Sequence, residues 1–309
     1  MPTHWNREHI PSLDGKSVIV TGANSGIGFE AALALAAKGA QLTLACRDPA
    51  KGQRALELIR ADAASAQVDL QILDLASLAS VGDFAKRYAD SHDRLDLLVN
   101  NAGIMALPYA KTADGFEMQF GTNHLGHFAL TGQLFGLLSD TPNSRVVSVS
   151  SIAHRFGWMK FDDLQSEQRY TKWTAYGQSK LANLLFTYEL ARRAETRELS
   201  LTATAAHPGY SNTNLQHRSA DASRLKLDGI VMRIGNKTVA QSAAMGALPT
   251  LRAAVGVGAR NGDYYGPGGW LEQRGYPVIV QSNARSQDPQ SAGQLWDISM
   301  DLTGVRFLD

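Results

Sequence analysis

The chain has 309 residues, 44% of them hydrophobic and 19% charged, a globular composition that excludes a disordered or fibrous protein. Lys and Arg number 30 against 29 Asp and Glu, a formal net charge of +1, so a nucleic-acid-binding surface is not expected. The one cysteine, Cys46, excludes an internal disulfide and a multi-cysteine zinc site, and fits a reducing, cytoplasmic setting.

From Met1 to Lys16 the chain carries His4, Arg7, Glu8, His9, Asp14 and Lys16 and lacks the apolar stretch of an export signal. A membrane span needs roughly 20 apolar residues. The nearest run, Leu227 to Val257, is broken by Asp228, Arg233, Lys237 and Arg252, so no membrane anchor is expected. The apolar run Ser17–Thr21 predicts a buried strand, and the Ala/Leu-rich Ile27–Lys38, stopped by Gly39, a helix. Strands follow at Gln41–Cys46, Val68–Leu73, Leu95–Asn100, Arg145–Ser150 and Leu201–Ala206. Helices are predicted at Ala50–Ala64 behind Pro49, Ser77–His92, Gly115–Leu138 and Thr174–Thr196. Six strand–helix units in series predict an α/β fold: a doubly wound parallel sheet of about seven strands with helices on both faces, in a single domain. Residues 14–210 carry its core, 211–237 a helical lid, and 258–309 a last strand and tail.

The first strand runs into Thr21-Gly22-Ala23-Asn24-Ser25-Gly26-Ile27-Gly28 and then a helix. Gly22, Asn24, Ser25, Gly26, Ile27 and Gly28 would bring backbone and a helix N-terminus against a pyrophosphate. The spacing is G-x-x-x-G-x-G, not the usual G-x-G-x-x-G. Cofactor choice is read at the end of the second strand, where Cys46-Arg47-Asp48 stands. Arg47 would pair with a 2′-phosphate, which predicts NADP(H) over NAD(H). If Asp48 faces the ribose, or if Arg47 only pairs with Asp48, that preference reverses. Tyr176 and Lys180 lie four apart in a helical pattern and share a face. A tyrosine titrates near 10, too high for a neutral-pH acid/base, and a neighbouring ammonium favours its phenolate.

Thr21 to Gly28, Asn100-Asn101-Ala102-Gly103, Asn123, Ser151, Tyr176-x-x-x-Lys180 and Pro208-Gly209, in that order, resemble the short-chain dehydrogenase/reductase family over residues 14 to 215. The resemblance implies a Rossmann-like sheet and assigns roles to the matching positions. Tyr176 would exchange a proton with the substrate oxygen, and Ser151, rather than Ser150, would steady that oxygen. Lys180 would hold the nicotinamide ribose and lower the tyrosine pKa, and Asn123 would help hold a water linking Lys180 to solvent. Asp74 and Leu75 would meet the adenine, Asn101, Ala102 and Gly103 would line the adenosine pocket, and Pro208, Gly209 and Thr213 would border the nicotinamide. Ser151 and Tyr176 are 25 residues apart, about twice the family's usual spacing. The insertion with Phe161-Asp-Asp-Leu-Gln165, Arg169-Tyr170 and Trp173, and the phrase Ser179-Lys-Leu-Ala-Asn183, resemble the retinol dehydrogenase branch, which also holds WW-domain oxidoreductases and light-dependent protochlorophyllide reductases. The expected lack of a membrane anchor and the absence of a cysteine near Lys180 depart from parts of that branch.

The expected activity is NADP(H)-dependent interconversion of a carbonyl and an alcohol. The rival is a non-catalytic NADP-binding regulator on the same fold, disfavoured because a sensor does not need Asn123, Ser151, Tyr176 and Lys180 together. A serine hydrolase is excluded for want of G-x-S-x-G. No metal site is expected: His124 and His127 share a helical face but have no carboxylate or cysteine partner, and His154 and His207 do not mark a site. In the lid, polar Asn212, Asn214, Gln216, His217 and Arg218 give way to Leu225, Leu227, Ile230, Val231, Met232 and Ile234, which predicts a partly apolar pocket for a medium or bulky alcohol or ketone. The same pattern would also suit a helix packed on the core or on a partner subunit. Family habit implies dimers or tetramers.

Overall fold

The computed structural model describes residues 4–211 and 241–309. Eight strands form one sheet in the order β3-β2-β1-β4-β5-β6-β7-β8. They are β1 (Ser17–Thr21), β2 (Gln41–Cys46), β3 (Val68–Ile72), β4 (Leu97–Asn100), β5 (Ser144–Val149), β6 (Leu201–Ala206), β7 (Tyr264–Pro267) and β8 (Pro277–Ile279). Every pairing from β3 to β7 is parallel, and β8 adds an antiparallel edge. The tail therefore contributes two strands where one was expected.

Alternation along β1 sorts the core. Val18 and Val20 pack into a cluster with α1 (Gly26–Ala36), α2 (Pro49–Asp62) and the helix Ala243–Val255 on one face. Ile19 packs on the other face with α3 (Leu78–Ser91) and residues of four further helical stretches, Phe128, Phe186 and Trp296 among them. A strand buried on both faces takes apolar residues at successive positions, which is why Val18, Ile19 and Val20 read as an unbroken run in the middle of β1.

The expected helix Gly115–Leu138 is not continuous. A single turn, α4 (Met118–Phe120), passes through a π-helical turn (Gly121–Leu125) into α5 (Gly126–Gln133), and α6 (Phe135–Asp140) follows after Leu134. The long α7 (Lys172–Thr196) begins at a Thr171 cap, whose hydroxyl accepts from the Thr174 N–H at 3.3 Å. The last helices are α8 (Ala243–Val255) and α9 (Pro289–Thr303). No helix among the described residues is long and apolar enough to cross a membrane.

Candidate active site

Chain order reverses between β1 and β4, and at such a switch point the carboxyl ends of parallel strands open a crevice. A cavity of about 1140 Å³ lies there, lined by the segments that leave β1, β2, β3, β4, β5 and β6. Gly22, Asn24, Ser25, Gly26, Ile27, Gly28, Arg47, Asp74, Leu75, Asn101, Ala102, Gly103, Ser151, Tyr176, Lys180, Pro208 and Gly209 all line it. Thr213 and the lid beyond Ser211 lie outside the described residues.

The first turn of α1 leaves no room for a side chain at Gly28. A Cβ on Gly28 would stand 2.4 Å from Asn101 Nδ2 and 2.5 Å from the Gly22 carbonyl oxygen. Asn101 is fixed in turn: its Nδ2 donates to the Thr21 carbonyl at 2.8 Å, and the N–H groups of Asn101 and Ala102 both donate to Thr21 Oγ1 at 2.9 Å. Ser25, at the N-cap of α1, makes no side-chain capping bond, so the first-turn N–H groups remain for a ligand. A backbone cradle of this kind on a helix N-terminus fits the pyrophosphate of a dinucleotide.

At the other end of the cradle Arg47 and Asp48 have different surroundings. Asp48 caps α2, accepting from the Lys51 N–H at 3.1 Å, and its second oxygen holds Lys51 Nζ at 2.9 Å. Those Lys51 bonds hold its carboxyl below the ordinary aspartate range. Arg47 makes no bond or ion pair with any described residue and lines the cavity together with Lys51 and Arg54. Sequence analysis overlooked Arg54; its place three residues after Lys51 on α2, hence on the same helix face, would have indicated it.

At the chemical end, Tyr176 and Lys180 sit one turn apart on α7, both buried. Ser151 follows β5 and lines the cavity with Tyr176, and its hydroxyl is near enough to favour ionisation of the phenol. The rival Ser150 is spent elsewhere, its hydroxyl donating to the Lys180 carbonyl at 2.8 Å. Lys180 Nζ donates to the Val149 carbonyl at 2.9 Å and lies 5.8 Å from the centre of the Tyr176 ring. The expected depression of the phenol by Lys180 does not dominate. Burial pushes Tyr176 up to about 12, opposed by the nearby Ser151 hydroxyl, and burial brings Lys180 down to about 8. At neutral pH the site thus holds a neutral phenol beside an ammonium.

Asn123 does not line the cavity. Its Oδ1 accepts from the Ile104 N–H at 2.8 Å, while Nδ2 donates to the Ile104 carbonyl at 3.0 Å and to Ser179 Oγ at 2.9 Å. The side chain thereby fixes the stretch of backbone after Gly103. Its own carbonyl accepts from His127 Nδ1 at 3.0 Å, and Thr21 Oγ1 lies 2.9 Å from His127 Nε2. Burial pulls His127 down to about 4, so a neutral ring links the π-helical turn to the end of β1. Ile104, Met105, Ile152, Phe156 and Trp173 form the apolar part of the wall near Ser151 and Tyr176. No group of three or more metal-ligating side chains occurs among the described residues.

The family model described as short chain dehydrogenase matches residues 16–224. Retinol dehydrogenase 12 of Mus musculus is 40% identical over 297 residues, covering 96% of this chain and 88% of the relative. Retinol dehydrogenase 11 of Homo sapiens is 40% identical over 295 residues, covering 95% and 87%. The crystal structure of an uncharacterized protein from Mycobacterium paratuberculosis is 42% identical, covers 99% of both chains and superposes with a TM-score of 0.81. The chain belongs to the short-chain dehydrogenase/reductase family of NAD(P)-binding oxidoreductases.

Proposed function

We propose that the protein is an NADP(H)-dependent carbonyl reductase and alcohol dehydrogenase acting on a medium to bulky, partly apolar substrate. The observation that carries this is the Tyr176 hydroxyl, set with Ser151 and Lys180 in the same cavity as the glycine loop. A bound nicotinamide supplies or accepts the hydride. Tyr176, protonated at neutral pH, donates its proton to the carbonyl oxygen during reduction and takes one back during oxidation. Ser151 bonds the same oxygen and holds it in line with the phenol. Lys180 places its charge beside the phenolate that reduction leaves, which stabilises that state.

Arg47, Lys51 and Arg54 support the phosphorylated dinucleotide, because three cations converge where Asp48 is already engaged. The apolar wall supports an apolar substrate, and two relatives are named for retinol, a large apolar alcohol. The test is NADPH consumption against ketones and aldehydes of graded size, with Tyr176→Phe as the control. The variant should bind NADPH like the parent and lose turnover by roughly 10²–10⁴-fold. A Tyr176→Phe enzyme that turns over near the parental rate would reject the assignment.

A further inference from the structure

Two buried imidazoles stand behind the loops that frame the reacting end of the cavity. His154 donates from Nδ1 to the Ser151 carbonyl at 2.7 Å, and its Nε2 accepts from the Asn283 N–H at 3.4 Å. His207 precedes Pro208-Gly209. Its Nδ1 accepts from the Gly209 N–H at 3.2 Å, which places its proton on Nε2, 3.1 Å from a carboxylate oxygen of Glu272. The Tyr264 ring packs against both, at 5.7 Å from His154 and 5.3 Å from His207. The other oxygen of Glu272 accepts from Arg155 at 2.8 Å, and Arg155 lies in the short 3-10 helix that follows Ser151.

One carboxylate from the tail thus ties the Ser151 segment to the Pro208–Gly209 segment. Its backbone is held for the purpose. Leu271 and Glu272 have φ of 48° and 56°, a left-handed conformation that residues with a Cβ keep only where surroundings enforce it. Those surroundings are on hand: the Tyr210 N–H donates to the Gln273 carbonyl at 2.8 Å, and Gln241 joins Gly275 to the Pro208 carbonyl through bonds of 3.2 and 2.8 Å. Glu272 does not itself line the cavity, although Gln273 does.

We propose that Glu272 is a positioning residue for the reaction: by accepting from His207 and Arg155 together it sets the distance between the Ser151 hydroxyl and the Pro208–Gly209 wall of the nicotinamide end. The inference rests on the carbonyl–alcohol assignment above. Hydride transfer depends steeply on the alignment of its two carbons, so a wall that drifts relative to Ser151 costs turnover before it costs dinucleotide affinity.

The test compares Glu272→Ala with Glu272→Gln in the full chain, using NADPH and 4-nitrobenzaldehyde as probes. Glutamine keeps an oxygen to accept the His207 Nε2–H. Glu272→Ala should lower kcat by roughly ten- to a hundredfold while the NADPH Kd, read by fluorescence, moves by less than about threefold. Glu272→Gln, which keeps the His207 bond and gives up the one to Arg155, should recover part of that kcat, and hydrogen exchange at the Gly209 amide should quicken only in Glu272→Ala. Parental kcat in Glu272→Ala, equal losses in both variants, or losses that track melting temperature and NADPH binding overturn the proposal. If the parent reduces no carbonyl, the functional assignment falls by itself; the exchange measurement still decides, and an unchanged Gly209 amide in Glu272→Ala overturns the positioning role.

Discussion

Arg47 and Asp48 are neighbours after β2 with opposite fates. Asp48 spends both oxygens on Lys51, once through the helix cap and once through the ammonium, while Arg47 is left to the cavity. A charge-assisted bond from a guanidinium to a phosphate is worth about 1.5–3 kcal/mol, so Arg47→Ala should weaken NADPH by roughly ten- to a hundredfold and leave NADH almost untouched. Parallel titrations of the two dinucleotides decide it, and equal losses reject the preference. At this scale the site was legible wherever the chemistry is local. The glycine loop and the Tyr176–Lys180 spacing are written in consecutive residues or one helical turn. The Asp48 cap was not, because the same residue could face a ribose or a helix N-terminus and only the path of α2 selects between them. The burial of the phenol was hidden for a related reason: spacing brings Lys180 near, but spacing carries no measure of burial, and burial pushes the Tyr176 pKa up.

Strand and helix placement followed from periodicity, with β1, β2 and β6 found at the predicted bounds. The segment around Asn123 escaped because a π-helical turn leaves the apolar pattern on either side nearly intact. Its cause is visible only in packing. Gly126 closes the turn, and a Cβ there would lie 2.4 Å from the Leu75 carbonyl oxygen and 3.0 Å from Leu75 Cβ. The helix start is thereby pressed against the chain leaving β3, where Asp74 and Leu75 line the cavity. Backbone cannot yield as a flexible side chain can, so Gly126→Ala should destabilise the protein by about 1–3 kcal/mol. It should also weaken dinucleotide binding by displacing Leu75. Thermal melts together with an NADPH titration test both; a variant as stable as the parent would show that α5 can retreat from β3. The insertion Ala153–Trp173 is the other element poorly served by pattern. It is held by scattered bonds, Tyr170 Oη to the Leu107 carbonyl at 2.6 Å and Gln178 Nε2 to the Leu164 carbonyl at 2.9 Å among them, and such contacts have no periodic trace.

Across the whole molecule the least legible feature is the reliance of the interior on uncharged imidazoles. His124, His127, His154 and His207 are all buried, and each ties together elements far apart in the chain: His124 reaches Ser299, His127 reaches Thr21, His154 reaches Asn283 and His207 reaches Glu272. A sequence lists these histidines without showing that the tail will arrive beside them. Burial holds His124 down to about 3 and His127 and His154 down to about 4, against an ordinary value of 6.5. Between those values the unfolded chain binds protons that the native state refuses, so native stability is complete above about 6.5 and is lost as pH falls toward 4. Each such imidazole withdraws about 1.4 kcal/mol per pH unit within its window. Three acting together should lower the melting temperature by roughly 5–10 °C per pH unit below 6. Replacing one of them without charge, as in His124→Gln, which can still bond Ser299, should reduce that slope by its share. Melting curves between pH 7 and 4.5 for the parent and this variant measure both effects. A melting temperature flat across that range would mean that the imidazoles take up protons without loss of their partners, and the interior would then have to admit water around His124, Phe128 and Trp296, where the structure packs aromatic rings.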